Sequence, residues 1–514
     1  MTYYSVLIAW TTRALFESGS PNAPWNQANL TSSMATEYFN NEVIGVETLV
    51  EEDGNVPTRL IGTNVGYSLL IFVLVVLCLF KGVETTGKVT YLTMGTPIVL
   101  LFTFLILDCT LEGSSIGIKA YIGEWDLSVL TKRGDVWSTA VSQIFYSIGI
   151  GFGVLASYGS HMPRDENTFK NSCVIAISNS IFSIVAGFAV FAAIGNETFI
   201  QGKEVSELDN ISTFGLVFGT WPLVLSRLPG GIHWVRLLFL FLIFLGIDSL
   251  FAGQEGTITC ITDMKKFRTD SQWKITVFVV LVSWLFSCIY CTDGGLNFLD
   301  VIDFYINFIL IFIGFFESFA IGWVYDIENQ MERFGKIVVF THIVANFGAV
   351  LLASCIWFGL KSIWGGFVAF GVFYMLFMII TIILVNNRKN EISQDSTLGE
   401  LMHDLVLGNI LGFKKEIEPF VTKVPTSWCY VIKFFVPHVL LILFINLALS
   451  KTSNGLPTFG NYGEYVALPY QVLGVLTFAF VAALLLIGLF FPGVYEALDT
   501  RHEIEEDSHR EDSL

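Results

Sequence analysis

The sequence predicts an all-α protein that crosses a membrane many times. Of its 514 residues, 53% are hydrophobic and only 14% are charged, whereas an ordinary soluble domain carries about 25% charged residues. The hydrophobic residues are gathered into long runs, and a helix needs about 20 mostly apolar residues to cross the hydrocarbon core of a bilayer. A membrane β-barrel would instead show short segments of alternating polarity, and the sequence does not show them.

The net charge argues against a nucleic-acid-binding protein, and the lack of a catalytic motif argues against an enzyme. The formal net charge is −17, so the chain has no surplus of basic residues with which to bind nucleic-acid phosphates. A paired catalytic motif of the His-Glu-x-x-His type is also missing from the sequence. We therefore expect the lipid bilayer as a partner, no nucleic acid, and no enzymatic activity.

Twelve apolar runs approach the length of a spanning helix, with boundaries good to about four residues. They predict a transmembrane domain (residues 1–495) that includes an acidic extracellular loop (18–59) and an inserted helix pair (337–386), followed by an acidic cytoplasmic tail (496–514). The runs are Met1–Glu17, Gly62–Phe80, Tyr91–Leu107, Val136–Tyr158, Cys173–Ile194, Trp234–Ile261, Trp273–Tyr290, Val301–Val324, Ile337–Leu360, Ile363–Val385, Val431–Leu449 and Tyr470–Phe491.

The basic residues predict how these helices are oriented. If the first run ends outside, the inside loops and the tail hold more lysines and arginines than the outside segments, which is the usual bias of membrane proteins. Glycosylation sequons at Asn29, Asn196 and Asn210 then fall in predicted outside loops. We expect a multi-pass protein of the plasma membrane that is glycosylated at these asparagines.

The run around Ser147 contains three glycines at alternate positions, Gly149, Gly151 and Gly153. Each glycine costs a helix about 1 kcal/mol relative to alanine, so together they favour an unwound break at membrane depth. Broken helices expose backbone groups that bind carboxylates and alkali cations in transporters. Tight packing between helices is the alternative interpretation of these glycines.

A carboxylate, Asp248, lies inside a long apolar run, and a charged side chain inside a membrane needs a partner. The adjacent hydroxyl of Ser249 and nearby backbone carbonyls suit a hard monovalent cation such as sodium. A salt bridge to lysine or arginine is the alternative, but we expect no basic residue deep in any of the twelve runs, which favours a bound cation.

Asn179 and Ser183 are four residues apart and therefore share one face of a helix. Small polar residues often only hold membrane helices together. By themselves these two residues do not distinguish a binding site from a packing contact.

These blocks of residues resemble, in order, those of the neurotransmitter:sodium symporter family, whose inverted-repeat fold is typified by the bacterial leucine transporter. The resemblance covers roughly residues 1–330 and 425–495. The matching residues are Tyr3-Tyr4, Trp10 and Pro24-Trp25; Lys81-Gly82, Gly87-Lys88 and Pro97; Gln143-Ile-Phe-Tyr-Ser147 through Ser157-Tyr158; Asn179-Ser180 and Ala186-Gly187-Phe188; Leu245-Gly-Ile-Asp-Ser249, Glu255 and Asp263; and Glu317 with Trp323-Val-Tyr325.

The resemblance implies sites for a substrate, for sodium and for chloride. Tyr4 would hydrogen-bond the substrate carboxylate, and chloride-independent members carry an acid at the position of Ser183, so a neutral serine predicts chloride dependence. The implied substrate residues are Tyr4, Tyr146, Ser147, Gly149, Phe152 and Ser249; the sodium ligands are Leu245, Asp248 and Ser249 at one site and Ser147 and Asn179 at another; the chloride ligands are Gln143, Ser147, Asn179 and Ser183.

The resemblance also implies two gates. Asp263 would belong to the cytoplasmic gate, and Asp303 matches the acid of the outer gate if a one-residue gap is allowed. His161 occupies the position of the cytoplasmic-gate tyrosine, where its titration would make closure pH-sensitive. A solvated loop histidine is the alternative.

Two further departures from the family concern whole helices. It starts within the family's third helix, so we expect an incomplete gene model or a fragment that lacks the first two helices. Those helices supply much of both sodium sites. The helix pair near Ile337–Val385 is an insertion between the family's tenth and eleventh helices.

The function implied is sodium-coupled, chloride-dependent symport of an amino acid or related small zwitterion by alternating access. Na⁺ and Cl⁻ would bind, and no organic cofactor is expected. Two alternatives remain, which are a truncated, non-transporting chain that associates with a complete transporter, and an ion channel with the same fold. The sequence predicts no oligomeric state.

Overall fold

The chain folds almost entirely into helices joined by short connections. The computed structural model describes all residues except 22, 28–29, 47–55, 80–82, 133, 164–165, 209–213, 265–266, 268–271, 394, 422, 453, 465–467, 492 and 497–514. The predicted tail after Glu496, the acidic part of the loop at 47–55, and the asparagines of the sequons at Asn29 and Asn210 therefore lie outside the described residues.

Twenty-two α-helices are described, and several of them continue into π-helical turns. They are α1 Tyr4–Glu17, α2 Ser32–Tyr38, α3 Gly62–Leu79, α4 Val83–Cys109, α5 Ser114–Ile118, α6 Val129–Lys132, α7 Gly134–Ile148, α8 Val154–Ser160, α9 Thr168–Gln201, α10 Trp221–Ser226, α11 Gly231–Thr262, α12 Gln272–Ser287, α13 Gly295–Phe319, α14 Ile327–Phe334, α15 Lys336–Leu360, α16 Ile363–Asn387, α17 Lys389–Ile392, α18 Leu398–Val421, α19 Thr426–Tyr430, α20 Val436–Ala448, α21 Leu468–Phe490 and α22 Gly493–Glu496.

Within the described residues, ten helices are long and apolar enough to cross a membrane. They coincide with ten of the twelve predicted runs, including both helices of the pair that we predicted to be inserted, α15 and α16. The other two runs do not form long helices. The first gives α1, which has only 14 residues, and the run at 136–158 is divided into α7 and α8.

The core is organised around α1 and α11, which pack closely along their lengths. Gly246 of α11 permits this approach, because a β-carbon there would lie 2.7 Å from Cγ1 of Ile8 on α1. Trp10 of α1 is fully buried and makes edge-on contacts with Phe39 and Phe214. The two helices thus form a fixed frame on which the broken helix α7–α8 can be positioned.

The loop at 18–59 is more compact than its polar composition indicates. Its described part forms α2 and a π-helical turn, Phe39–Ile44, and it buries Trp25, Phe39 and Val43 in the main hydrophobic cluster. This segment covers one end of the helix bundle rather than extending into solvent.

The predicted placement of the sequon at Asn196 in an outside loop is wrong. Helix α9 continues through this residue to Gln201, and the side chain is 8% exposed, with its Nδ2 donating to the Glu112 carbonyl at 2.9 Å. A glycosyl transferase needs an accessible asparagine on a loop. The apolar run simply ended before the helix did.

Two basic residues near the ends of the predicted runs are buried inside the protein. Arg13 of α1 is buried, donating to the Val43 carbonyl and to Oδ1 of Asn64. Lys433, near the start of the eleventh run, is only 1% exposed. Neither side chain forms an ion pair with Asp248 among the described residues.

Candidate functional site

The broken helix predicted from the glycines is confirmed. Gly149, Gly151 and Gly153 all adopt the left-handed conformation, with φ of +82°, +80° and +76°, which costs other residues about 1–2 kcal/mol each. Tight packing between helices does not require glycine at Gly149 or Gly153. An added β-carbon would meet nothing closer than 4.0 Å at Gly149 and nothing within 4 Å at Gly153. Among the described residues, the N–H groups of Gly151 and Gly153 donate no backbone hydrogen bond.

A cavity of about 370 Å³ lies beside this break, and we call it the break cavity. Its volume falls in the range of small-molecule binding sites. All six predicted substrate residues line it, which brings together side chains from α1, α7, the break and α11. They are Tyr4, Tyr146, Ser147, Gly149, Phe152 and Ser249.

A second cavity of about 390 Å³ contains Asp303 and is called the Asp303 cavity. Tyr3, Tyr4, Gln143 and Tyr146 line both cavities and so form the wall between them. The Tyr3 hydroxyl lies 3.0 Å from the Tyr146 hydroxyl and donates to Oδ1 of Asp303 at 3.3 Å. We call this three-residue contact the tyrosine latch. Asp303 therefore contacts one of the residues that the two cavities share, and its role in an outer gate stays a prediction.

Asp248 does not line the break cavity but lies next to it, one residue before Ser249 on α11. Its Oδ1 accepts a hydrogen bond from Oγ1 of Thr93 on α4 at 2.9 Å. The Ser249 hydroxyl donates to the Leu245 carbonyl at 3.3 Å, so the three predicted sodium ligands of α11 lie within one helical turn. Thr93 adds a fourth oxygen-bearing residue beside this turn through its hydrogen bond to Asp248, and oxygen is the ligand that hard cations prefer.

The predicted chloride ligands come from two facing helices. Oγ of Ser147 on α7 donates to Oδ1 of Asn179 on α9 at 2.9 Å, which confirms that the two helices bring these side chains into contact. The Ser183 hydroxyl donates to the Asn179 carbonyl at 2.9 Å, and its side chain is exposed. Gln143, one turn before Ser147, lines both cavities.

The two residues assigned to the cytoplasmic gate lie at neighbouring helix ends. Asp263 is exposed immediately after α11. His161 is exposed immediately after α8, with its Nδ1 2.9 Å from the Ser157 carbonyl. Among the described residues, the side chains of Asp263 and His161 do not contact each other, so their pairing in a gate stays a prediction.

Sequence reasoning missed two contributors to this region. Thr93 is an isolated hydroxyl in an apolar run, and nothing in its local sequence connects it with α11, 155 residues away. Tyr3 was recognised as part of a motif but not as the donor to Asp303, because that contact joins residues 300 positions apart. Polarity inside a spanning helix was the available signal for Thr93.

We expect Tyr146→Phe to open the tyrosine latch, because it removes one of the latch's two hydrogen bonds while keeping the ring. A hydrogen bond contributes about 0.5–1.5 kcal/mol net, so its loss should raise the fraction of molecules with an open latch about fivefold. A cysteine introduced at Ala252, which lines the break cavity, reports this fraction. It should react about fivefold faster with a thiol reagent. Tyr495→Phe, at an exposed hydroxyl remote from both cavities, serves as the control. Equal reaction rates with and without the Tyr146 hydroxyl would contradict the latch.

Comparison with known proteins finds sodium-dependent transporters, in agreement with the family resemblance seen in the sequence. The model of the "Sodium:neurotransmitter symporter family" matches residues 26–363. The chain is 31% identical over 366 residues to the sodium- and chloride-dependent GABA transporter 2 of Rattus norvegicus, covering 65% of this chain and 59% of the transporter. It is 29% identical over 364 residues to the sodium- and chloride-dependent taurine transporter of Canis lupus familiaris, covering 64% and 57% of the two chains.

A third relative shows higher identity over a shorter region. The chain is 36% identical over 270 residues to the sodium- and chloride-dependent neutral and basic amino acid transporter B(0+) of Homo sapiens, covering 51% of this chain and 41% of the transporter. The chain thus spans about half the length of the curated relatives it matches.

Proposed function

The chain belongs to the sodium:neurotransmitter symporter family, and on that premise we propose that it carries an amino acid or a related small zwitterion across the plasma membrane together with sodium, in a chloride-dependent manner. It is a multi-pass integral membrane protein, and its family consists of transporters rather than enzymes. The observation that carries the proposal is the break cavity, in which all six predicted substrate residues meet at an unwound helix beside a carboxylate.

The chemistry of the cavity suits a zwitterion with an apolar body. The hydroxyls of Tyr4 and Ser249, which line the cavity, can donate hydrogen bonds to a carboxylate. The Tyr146 and Phe152 rings lie 5.7 Å apart in an edge-on contact and provide an apolar wall. Aromatic walls with a few convergent polar groups are typical of small-molecule sites.

Sodium would act as the counter-charge of Asp248. The carboxylate has Thr93 as a hydrogen-bond donor but forms no ion pair among the described residues, and an uncompensated charge inside a membrane is costly. A sodium ion held there, and a second at Ser147 and Asn179, would strengthen substrate binding at the adjacent cavity. That coupling has to be reciprocal, so substrate would equally strengthen sodium binding.

Transport would then require the wall between the two cavities to open and close. In the conformation described here, the tyrosine latch separates the break cavity from the Asp303 cavity. Opening the latch would connect the substrate site with one compartment, and movement near Asp263 and His161 would connect it with the other, as in alternating access.

The direct test is uptake of radiolabelled amino acids into proteoliposomes that contain the purified chain. We expect uptake in sodium chloride and its loss when sodium is replaced by choline. Replacement of chloride by gluconate should also reduce uptake. Uptake that is unchanged in choline would contradict the proposal, and currents far above substrate flux would favour the ion channel.

We expect Ser183→Glu to make uptake independent of chloride, because a fixed negative charge near Asn179 would replace the bound anion. Couplings between ligands in one protein are worth about 1–3 kcal/mol, so wild-type uptake should fall about 5- to 150-fold without chloride while the variant changes little. Ser172→Glu is a matched control, since Ser172 is also exposed on α9 and bonded to the carbonyl four residues back. An equal chloride dependence of Ser183→Glu and wild type would contradict the assignment.

A further inference from the structure

The connection between α20 and α21 lies against the first half of α13, and it is anchored at two points. The Ser450 hydroxyl, just after α20, donates to Oγ1 of Thr458 at 2.9 Å. Nε2 of Gln471 on α21 donates to the Tyr462 carbonyl at 2.6 Å. We call residues 458–463 the α13 strap. Because hydrogen bonds hold this segment to the helices on both sides of it, it can keep a fixed position against α13.

The α13 strap contacts successive residues of α13. The Tyr462 ring lies nearly parallel to the Phe304 ring, with an interplanar angle of 6° and centroids 3.9 Å apart. The Tyr462 hydroxyl donates to Oδ1 of Asp300 at 3.4 Å. The Gly460 N–H donates to the Tyr305 hydroxyl at 2.7 Å. Side chains and backbone of the strap therefore both hold this part of α13.

The same part of α13 carries the carboxylate of the tyrosine latch. Asp303 directly precedes Phe304, and consecutive residues of an α-helix are rotated by about 100°, so Asp303 can face its cavity while Phe304 faces the strap. The Tyr3 hydroxyl donates to Asp303 at 3.3 Å, which is longer than the usual 2.5–3.0 Å of such a bond. A small displacement of α13 would therefore break it.

Tyr462 itself lies outside the substrate region, because it lines neither the break cavity nor the Asp303 cavity. Its stacked ring acts on the wall between them only through α13. An aromatic pair contributes free energy beyond that of the area it buries, so the stack favours the position of α13 in which it forms.

We propose that Tyr462 is a positioning residue of the tyrosine latch. Its ring, stacked on Phe304, keeps α13 where Asp303 reaches the Tyr3 hydroxyl. The α13 strap thus sets how often the wall between the two cavities opens. The proposal rests on the proposed function in one respect, that the latch opens during transport, and its test measures opening without measuring uptake.

The experiment compares two introduced cysteines in the purified full chain in nanodiscs. Ala252→Cys reports on the break cavity, and Val217→Cys reports on the Asp303 cavity. Mass spectrometry measures the rate at which a thiol reagent modifies each position and separates both from the eight native cysteines. We expect Tyr462→Ala to raise the rate at position 252, relative to that at position 217, about fivefold, as for the loss of one aromatic pair.

Two further variants separate the stacked ring from other effects. Tyr462→Phe keeps the ring and should leave the ratio of rates near its wild-type value. Leu456→Ala, at a 52% exposed position of the same connection, is the matched control and should also leave it unchanged. An unchanged ratio in Tyr462→Ala would overturn the proposal, and so would an equal rise in Tyr462→Phe. Faster reaction at both positions without a change in their ratio would show general loosening and would also overturn it.

A double-mutant cycle tests whether the effect passes through Phe304. Phe304→Ala should raise the ratio about as much as Tyr462→Ala, and the double variant should raise it no further, because both changes remove the same stack. Effects that multiply in the double variant would contradict the proposal. If the wild-type chain showed no sodium-dependent uptake, the proposed function would fail while these rates could still be measured, so the two failures are distinguishable.

Discussion

Replacing Asp248 with alanine is expected to abolish sodium-dependent uptake. The carboxylate lies within one turn of the Leu245 carbonyl and the Ser249 hydroxyl, and Thr93 orients it through a 2.9 Å hydrogen bond. Removing one member of a buried charge pair costs about 3–5 kcal/mol, so sodium affinity should fall by about 100-fold or more. The measurement is the sodium dependence of radiolabelled substrate uptake, together with binding of radioactive sodium to the purified chain.

A second buried carboxylate provides the control. Asp108 on α4 is fully buried and accepts a hydrogen bond from Nε1 of Trp221 at 3.0 Å, but it lines neither the break cavity nor the Asp303 cavity. Asp108→Asn should therefore leave sodium dependence intact. If Asp248→Ala bound sodium as tightly as the wild type, Asp248 would not be a sodium ligand.

Replacing Gly149, Gly151 and Gly153 together with alanine is expected to eliminate substrate binding. Each residue has a positive φ and would add about 1–2 kcal/mol of strain, so the three together cost about 3–6 kcal/mol. The strain would be relieved if α7 and α8 joined into one continuous helix. Ser147, Gly149 and Phe152 would then no longer face one cavity, and bound radiolabelled substrate should drop to background.

The single variants separate strain from packing. Gly153→Ala has open space around its new methyl group, so its whole cost of about 1–2 kcal/mol comes from the backbone. Gly159→Ala also has open space but lies within α8, where alanine is favoured by about 1 kcal/mol. The two variants should shift the unfolding midpoint in opposite directions. A stabilising effect of Gly153→Ala would show that the break is not maintained in the protein.

Much of the fold follows from local sequence. Ten apolar runs became long helices because hydrocarbon leaves the backbone no other way to pair its polar groups. The break at Gly149–Gly153 was equally local, since alternate glycines weaken a helix wherever they occur. The grouping of Tyr4, Ser147 and Ser249 around one cavity came from the resemblance to a family, because no periodicity relates residues so far apart in the chain.

The errors had physical causes of their own. Hydropathy marks where the apolar part of a helix ends, so it placed Asn196 in a loop although α9 continues for another turn. Hydropathy also gives no sign that Lys433 is buried, because its partners Asn409 and Trp323 lie 24 and 110 positions away. Contacts between distant polar residues, such as Thr93 with Asp248 and Tyr3 with Asp303, depend on how helices pack and leave no mark in local composition.

The tyrosine latch has a consequence for timing. Its two hydroxyl-mediated contacts, without an ion pair, would together contribute about 2 kcal/mol to keeping the wall closed. At room temperature a difference of this size leaves the wall open in roughly three molecules of every hundred. Spontaneous opening of the wall would therefore expose the break cavity often enough for solutes to enter. Binding of substrate and sodium would then only have to shift an equilibrium between closed and open states that exists without them.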